Sequence, residues 1–318
     1  MNTPAIACLG KLPIHGDFIR WNQTQVPEIV EFDAWLLEGM ERVYGVRGRA
    51  FDADLRAMTP LRFLYTSQKS GRLLNGLVLP SADQVGRCYP FVIGFAMPAP
   101  SPGPTYDRLP LQALAVLQQL LDYTTRDLAG TSLAQFLDGL KEIAYTSDDN
   151  AAEQALRTYL LGTTLDALWA EWPGFQFPER RQQCLQELWQ LSQPPFPPRY
   201  LTTIPMHHGP GEVAFWLTLL RQWLSVRANP VLLAWPAVSP AASPAGPGTA
   251  APFRLLFDDL HGRYFEPAFW PARTEGQTLD LGRAQSQKRS VAPSPRNFAA
   301  LLRPRALLQD VIGGAARV

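Results

Sequence analysis

Seven residues, Ser81-Ala82-Asp83-Gln84-Val85-Gly86-Arg87, place a hydroxyl, a carboxylate and a guanidinium between two apolar stretches. Asp83 and Arg87 stand four apart, a spacing that suits a bidentate carboxylate–guanidinium pair. Gly86 lets the backbone turn tightly. Two compatible roles fit: an ion pair that closes the loop, and a polar binding surface. An activated serine fits poorly, because Ser81 has no histidine nearby and no GxSxG elbow around it.

Other polar groupings carry less chemistry. Gly10-Lys11 has only the outline of a phosphate loop, which requires GxxxxGK[ST]. Leu12 follows Lys11, and no glycine lies five positions before Gly10. A glycine turn with Lys11 facing solvent is expected instead. His15-Gly16-Asp17 could let Asp17 orient His15 as a base. Neighbours in sequence rarely do so, and the expectation is a turn in which Gly16 takes an unusual backbone angle and Asp17 caps the next segment. His207-His208 has no Cys or carboxylate at ligand spacing. His261, after Asp258 and Asp259, reads as a turn. Cys8, Cys88 and Cys184 make no CxxC pair and no disulfide framework. They read as buried thiols in a reducing compartment. No metal, nucleotide or other cofactor is expected.

The elements that must position these groups show in the apolar spacing. Ala5–Leu9, Leu61–Thr66, Leu73–Leu79 and Tyr89–Met97 read as strands, the last nearly all apolar and so covered on both faces. A helix starts at Pro27 and carries Ile29, Val30, Ala34, Trp35, Leu37 and Met40, with Gly39 and Gly45 at its end region. Leu109–Leu121, Thr131–Ile143, Ala151–Leu161, Glu179–Leu191 and Gly211–Val226 read as helices. Tyr200–Pro205, Val231–Trp235 and Phe253–Leu260 read as strands, which either extend the first sheet or build a second small domain. Ser192–Pro198 is a stiff spacer, and Pro236–Pro252, rich in Ala, Ser, Pro and Gly, a flexible insert.

The expected fold is therefore mixed α/β. A central sheet is flanked by helices, with a C-terminal helix/strand extension and a flexible basic tail. The units are 1–98, a mainly helical 99–191, an α/β extension 192–270, and the tail 271–318. The tail holds eight Lys/Arg against three Asp/Glu, a net +5. Disorder to about residue 295 and a short amphipathic segment Phe298–Ile312 are expected there, leaving the tail dispensable for folding.

Composition removes several function classes. Hydrophobic residues make up 46% of the 318, enough for a core. Lys and Arg number 29 against 28 Asp and Glu, net +1. That balance supplies no field to gather nucleic acid or an anionic membrane. No run of about 18 apolar residues exists to span a bilayer. The N-terminus lacks the basic start and apolar stretch of a secretory signal, so a cytoplasmic protein is expected.

Four motifs in order resemble a known family. Gly10-Lys11-Leu12-Pro13 with Gly16-Asp17-Phe18 resembles the GKLPxxGDF opening of TagF (ImpM) proteins. Asp33-Ala34-Trp35-Leu36 resembles their DxWL helix, and Leu61-Arg62-Phe63 their WRF-like strand. Ser81, Asp83, Val85-Gly86-Arg87 and Tyr89-Pro90 resemble their SxDxVGRxFP segment, with Tyr89 in place of Phe. The resemblance covers residues 5–98. It implies a cytoplasmic accessory protein of the bacterial type VI secretion system, without catalytic activity. It further implies a post-translational repressor that binds cytosolic secretion components, a forkhead-associated (FHA) scaffold protein among them. The motif surface it implies comprises Gly10, Lys11, Gly16, Asp17, Ser81, Asp83 and Arg87. Alternatives are a structural assembly component, or a hydrolase using Ser81, Asp83 or His15.

Overall fold

The computed structural model describes residues 4–170, 172, 175, 177–190, 201–207, 209–223, 228–237, 251–270, 278–280 and 307–315. Runs of β-branched, aromatic and leucine side chains form the expected strands. Leu61–Thr66 (β3), Arg72–Leu79 (β4) and Phe91–Pro98 (β5) pair antiparallel, with Gly76 opposite both Phe63 and Gly94. Ile6–Gly10 (β1) joins the far side of β5, and the short strand Ile19–Trp21 (β2) pairs with β1. Three residues are too few to show a period, so β2 has no signature in the sequence.

On its other side β3 pairs with Leu232–Pro236 (β7), Leu61 lying opposite Pro236. Ala251–Leu256 (β8) and Leu201–Met206 (β6) follow, all antiparallel, and Thr278–Asp280 (β9) pairs parallel to β6. The result is one sheet of nine described strands in the order β2-β1-β5-β4-β3-β7-β8-β6-β9. The C-terminal strands extend the first sheet rather than building a second one.

Alternation along β5 shows why the sheet is covered on both faces. Phe91, Ile93, Phe95 and Met97 enter one buried cluster, and Val92 enters the other. The second cluster lies under Pro27–Arg47 (α1), which supplies Ile29, Phe32, Trp35, Leu36, Met40 and Val43 at helical spacing. Proline opens α1, and Gly48 ends it with φ 54°. The helix therefore runs through Gly39 and Gly45, which the sequence placed at its end. Ala50–Arg56 (α2) covers the same face.

The opposite face carries the remaining helices. The expected Leu109–Leu121 helix is broken at Ala113. Pro104–Asp107 (α3) and Leu109–Gln112 (α4) precede Leu114–Thr125 (α5). Leu133–Lys141 (α6) starts at a capping box of Ser132 and Gln135. Asp149–Gly162 (α7), Leu165–Ala170 (α8), Pro178–Gln190 (α9) and Pro210–Trp223 (α10) follow. Phe265–Phe269 (α11), after a 3₁₀ turn at Gly262–Tyr264, returns to pack beside α1.

The tail departs from expectation in two places. β9 falls inside the stretch read as disordered. Leu308–Ala315 (α12) packs its Leu308, Val311 and Ile312 into the main cluster, and the Leu308 amide donates to the Thr163 carbonyl at 3.1 Å. The amphipathic segment expected at Phe298–Ile312 is thus met in part by α12, though its packing on the core was not expected, and β9, three residues long, is too short to show a period. The spacer Ser192–Pro198, most of the insert Pro236–Pro252 and the rest of the tail lie outside the described residues. All three cysteines are free and buried, and burial pushes the Cys8 thiol up to about 12.

Candidate functional site

The β4–β5 loop winds around one carboxylate. Asp83 is 3% exposed. Its Oδ1 accepts the amides of Val85 (3.1 Å) and Arg87 (2.8 Å). Its Oδ2 accepts Lys11 Nζ (2.9 Å) and Arg87 Nε (2.6 Å). Gly86 takes φ 87° at the turn, and Ala82 and Cys88 bridge across the loop's base. Burial pushes the Asp83 carboxyl up. The bonds from Lys11 and from the amide and guanidinium of Arg87 outweigh that, and hold it well below the usual carboxylate range.

The same loop is stapled to the turn that follows β1. Ser81 Oγ donates to the Lys11 carbonyl at 2.6 Å. Arg87 Nη2 donates to the Gly16 carbonyl at 2.6 Å, and the Gln84 amide to the His15 carbonyl at 3.0 Å. Arg56 Nη2, from α2, donates to the Gly86 carbonyl at 2.9 Å. Gly10 takes φ 119°, and a Cβ there would lie 2.1 Å from the Pro90 carbonyl oxygen. Only glycine lets β1 leave the sheet so close to Pro90.

The structure thus gathers Gly10, Lys11, Gly16, Ser81, Asp83 and Arg87, six of the seven candidates, into one stapled pair of loops. The expected Asp83–Arg87 pair is present but not bidentate: Arg87 Nε alone reaches the carboxylate, and Nη2 turns to Gly16. Three expectations fail. Lys11 does not face solvent: its side chain is 15% exposed and paired with Asp83, 72 residues away, a partnership the sequence cannot display. Gly16 has no positive φ; its role is to offer its carbonyl to Arg87. Asp17 makes no capping hydrogen bond, since the next element is β2 rather than a helix. No hydrogen bond joins the side chains of His15 and Asp17.

The supporting shell was also out of the sequence's reach. Asp33 of α1 accepts Arg20 Nη2 at 2.6 Å and the Tyr89 hydroxyl at 3.2 Å. Tyr89 meets Phe18 edge-on. Trp35 Nε1 donates to the His261 carbonyl at 3.0 Å, tying the N-terminal helix to the C-terminal part of the chain. Phe63 stacks on Phe32 at 4.5 Å.

What remains outward is small and shaped. Val85 stands at the loop tip, 72% exposed, beside the Arg87 side chain, 61% exposed. Next to the staple runs a groove of about 420 Å³, lined by Leu12, Pro13, Pro80, Ser81, Thr125 and Arg126 among others. The Ser81 hydroxyl donates to the Lys11 carbonyl, and no imidazole among the described residues bonds its oxygen. The His207 amide donates to Glu212 Oε2, and His208 is outside the described residues. Among the described residues no three His, Cys, Asp or Glu side chains converge as metal ligands would, and no helix is long and apolar enough to cross a membrane.

In comparison with known proteins, residues 7–143 match the TagF N-terminal domain, type VI secretion system-associated. Over that stretch the chain is similar to the N-terminal domain of the TagF family. The match spans β1 to β5 and α1 to α6, and ends before the C-terminal strands that complete the sheet. Among solved structures, the crystal structure of PA0076 from Pseudomonas aeruginosa PAO1 is 24% identical, with a TM-score of 0.36. That match covers 44% of this chain and 62% of the other. No curated protein matches the sequence.

Proposed function

We propose that this chain is a non-enzymatic, cytoplasmic regulator of the type VI secretion system that acts by binding a cytosolic component. An FHA-type scaffold is the partner, and the consequence is post-translational repression of the apparatus. The observation that carries the reading is the Val85 tip. An apolar side chain is held out to solvent on a loop whose carboxylate and serine are consumed by internal bonds. Such a loop has little freedom left to lose on docking, so more of its contact energy survives as affinity. The groove at the base of the loop, lined by Leu12, Pro80, Ser81 and Ala82 among others, adds a second contact area.

The experiment is capture of the purified FHA-type scaffold by the full chain, in parallel with Val85→Asp. Burying a new carboxylate at an interface costs far more than leaving it in water. Val85→Asp therefore melts like the parent while capture falls at least roughly tenfold, about 1.4 kcal/mol. Equal capture by both proteins would remove this loop from the interface. Absence of capture by the parent, against every cytosolic component tried, would remove the partner class.

A further inference from the structure

The helical layer carries a second concavity, built by other elements than the stapled loops. A groove of about 370 Å³ opens where α7, α10 and α12 meet the α3–α4 segment. One face of α7 supplies Glu153, Leu156, Arg157, Leu160 and Leu161, spaced i, i+3, i+4, i+7 and i+8. Leu156 and Leu160 are buried in the main cluster and form the floor. Leu161 ends the same stripe but is 49% exposed, and Pro104 adds to the apolar wall.

The charges around this wall are unevenly matched. Arg108, its side chain 14% exposed, takes two carboxylates: Nη1 donates to Glu153 at 2.8 Å and Nη2 to Asp149 Oδ1 at 3.1 Å. Glu153 stands four residues before Arg157, the spacing of a helical ion pair, yet it is drawn to Arg108 instead. Arg157 is left with no ion pair and no hydrogen bond among the described residues. Glu153 is the one carboxylate in the lining, and Asp149 lies outside it. The Thr218 hydroxyl is taken by the Ala214 carbonyl at 2.8 Å, while Gln222 of α10 and Gln309 of α12 line the groove as uncharged amides. The groove therefore combines an apolar floor, one free guanidinium and two amides.

We propose that this groove binds a small anionic amphiphile, a carboxylate on an aliphatic chain of the fatty-acid class. The tail lies along Leu156, Leu160, Leu161 and Pro104 and takes Leu161 out of water. The carboxylate meets Arg157, whose planar fork suits two oxygens. The volume falls in the range of small-molecule sites, roughly 300–1,000 Å³. Because α12 supplies Gln309, an occupied groove ties the C-terminal helix to α7 and α10. Only Pro104 and Arg108 of the lining fall inside the family-matched residues, and the site does not depend on the docking role of the Val85 loop.

The test is titration calorimetry of the full chain with decanoate below its micellar concentration. One saturable site per chain is expected. Hexanoate should bind at least roughly tenfold more weakly, since each buried methylene adds to the affinity. Arg157→Glu and Leu161→Asp change exposed side chains, so both should melt like the parent. Each should weaken decanoate at least roughly tenfold, the first by repulsion, the second by setting a carboxylate in the path of the tail. Decyltrimethylammonium, with the same tail and the opposite charge, should prefer Arg157→Glu to the parent. Absence of a saturable decanoate site overturns the proposal. So does equal affinity for hexanoate and decanoate, or parental affinity in either variant. Dimers that Leu161→Asp dissolves, in a chain that takes up no decanoate, would assign the groove to a second copy and overturn it as well.

Discussion

Leu308→Ala tests whether the C-terminal helix, expected to be dispensable for folding, is packed on the core. Leu308 is fully buried, and Val311 and Ile312 beside it are 5% and 7% exposed. Removing a leucine side chain from a packed core costs about 2–5 kcal/mol, the spread reflecting how far the site collapses. Here a second limit applies. α12 is held through its side chains and the backbone contacts of Leu307 and Leu308 with Thr164 and Thr163. It can detach without unfolding the sheet. The measured loss is therefore the smaller of the cavity cost and the docking free energy of the helix. At roughly 2 °C per kcal/mol for a large domain, the expected fall in Tm is about 4–10 °C. Thermal unfolding of the parent, Leu308→Ala and a chain ending before Leu307 compares the two. If helix release caps the cost, Leu308→Ala and the truncation melt together. If the cavity term is smaller, the truncation melts lower. A truncated chain that melts with the parent would refute the packing argument and restore the tail as dispensable.

Three further perturbations bear on the stapled loops. Gly10→Ala forces a Cβ onto the Pro90 carbonyl and a side chain into positive φ. A loss of at least about 2 kcal/mol is expected by chemical denaturation, and parental stability would contradict the close approach. Tyr89→Phe restores the residue typical of the family motif but removes the hydroxyl from Asp33. It should cost about 0.5–1.5 kcal/mol, measured the same way, and a gain would show that the bond is not formed. Asp83→Asn reads the carboxyl through pH. A carboxyl lowered by folding contributes stability fully above its ordinary pKa of roughly 3.9 and loses it as pH falls through the folded value. The gap in Tm between parent and Asp83→Asn should hold from about pH 8 to 5 and narrow only below about pH 4. A gap that widens on acidification would reverse the assigned direction.

Local patterning located most of the fold. Pro27 and the spacing from Ile29 to Met40 marked α1, and the apolar runs of β3, β4 and β5 were visible within one or two residues. Where it failed, the signal was short or distant. β2 and β9 are three residues each, and the packing of α12 on the core depends on distant elements, although an amphipathic segment was expected there. The Ser81–Arg87 loop stood out because its polar residues interrupt two apolar strands. Its true partners did not: Lys11 and Gly16 lie about 70 residues earlier, and pairing at that range is decided by strand order, which composition does not encode. Tyr89 looked like a neutral replacement because its hydroxyl partner, Asp33, is on another element.

The pairing of β3 with β7 has a consequence for how the chain is made. β3 ends at Thr66, and β7 begins at Leu232. A ribosome adding roughly 5–20 residues each second leaves the β3 edge without its neighbour for about 10–30 s. During that interval β1 to β5 can already be assembled, with Arg62 and Tyr65 at an open rim. The nascent protein is then a half-finished sheet with a sticky border, and in a polysome several such borders lie side by side. Edges of this kind invite pairing between chains. A gene cut down to the family-matched stretch would make that transient border permanent, so the shortened product belongs in inclusion bodies or in edge-to-edge dimers rather than as a free monomer.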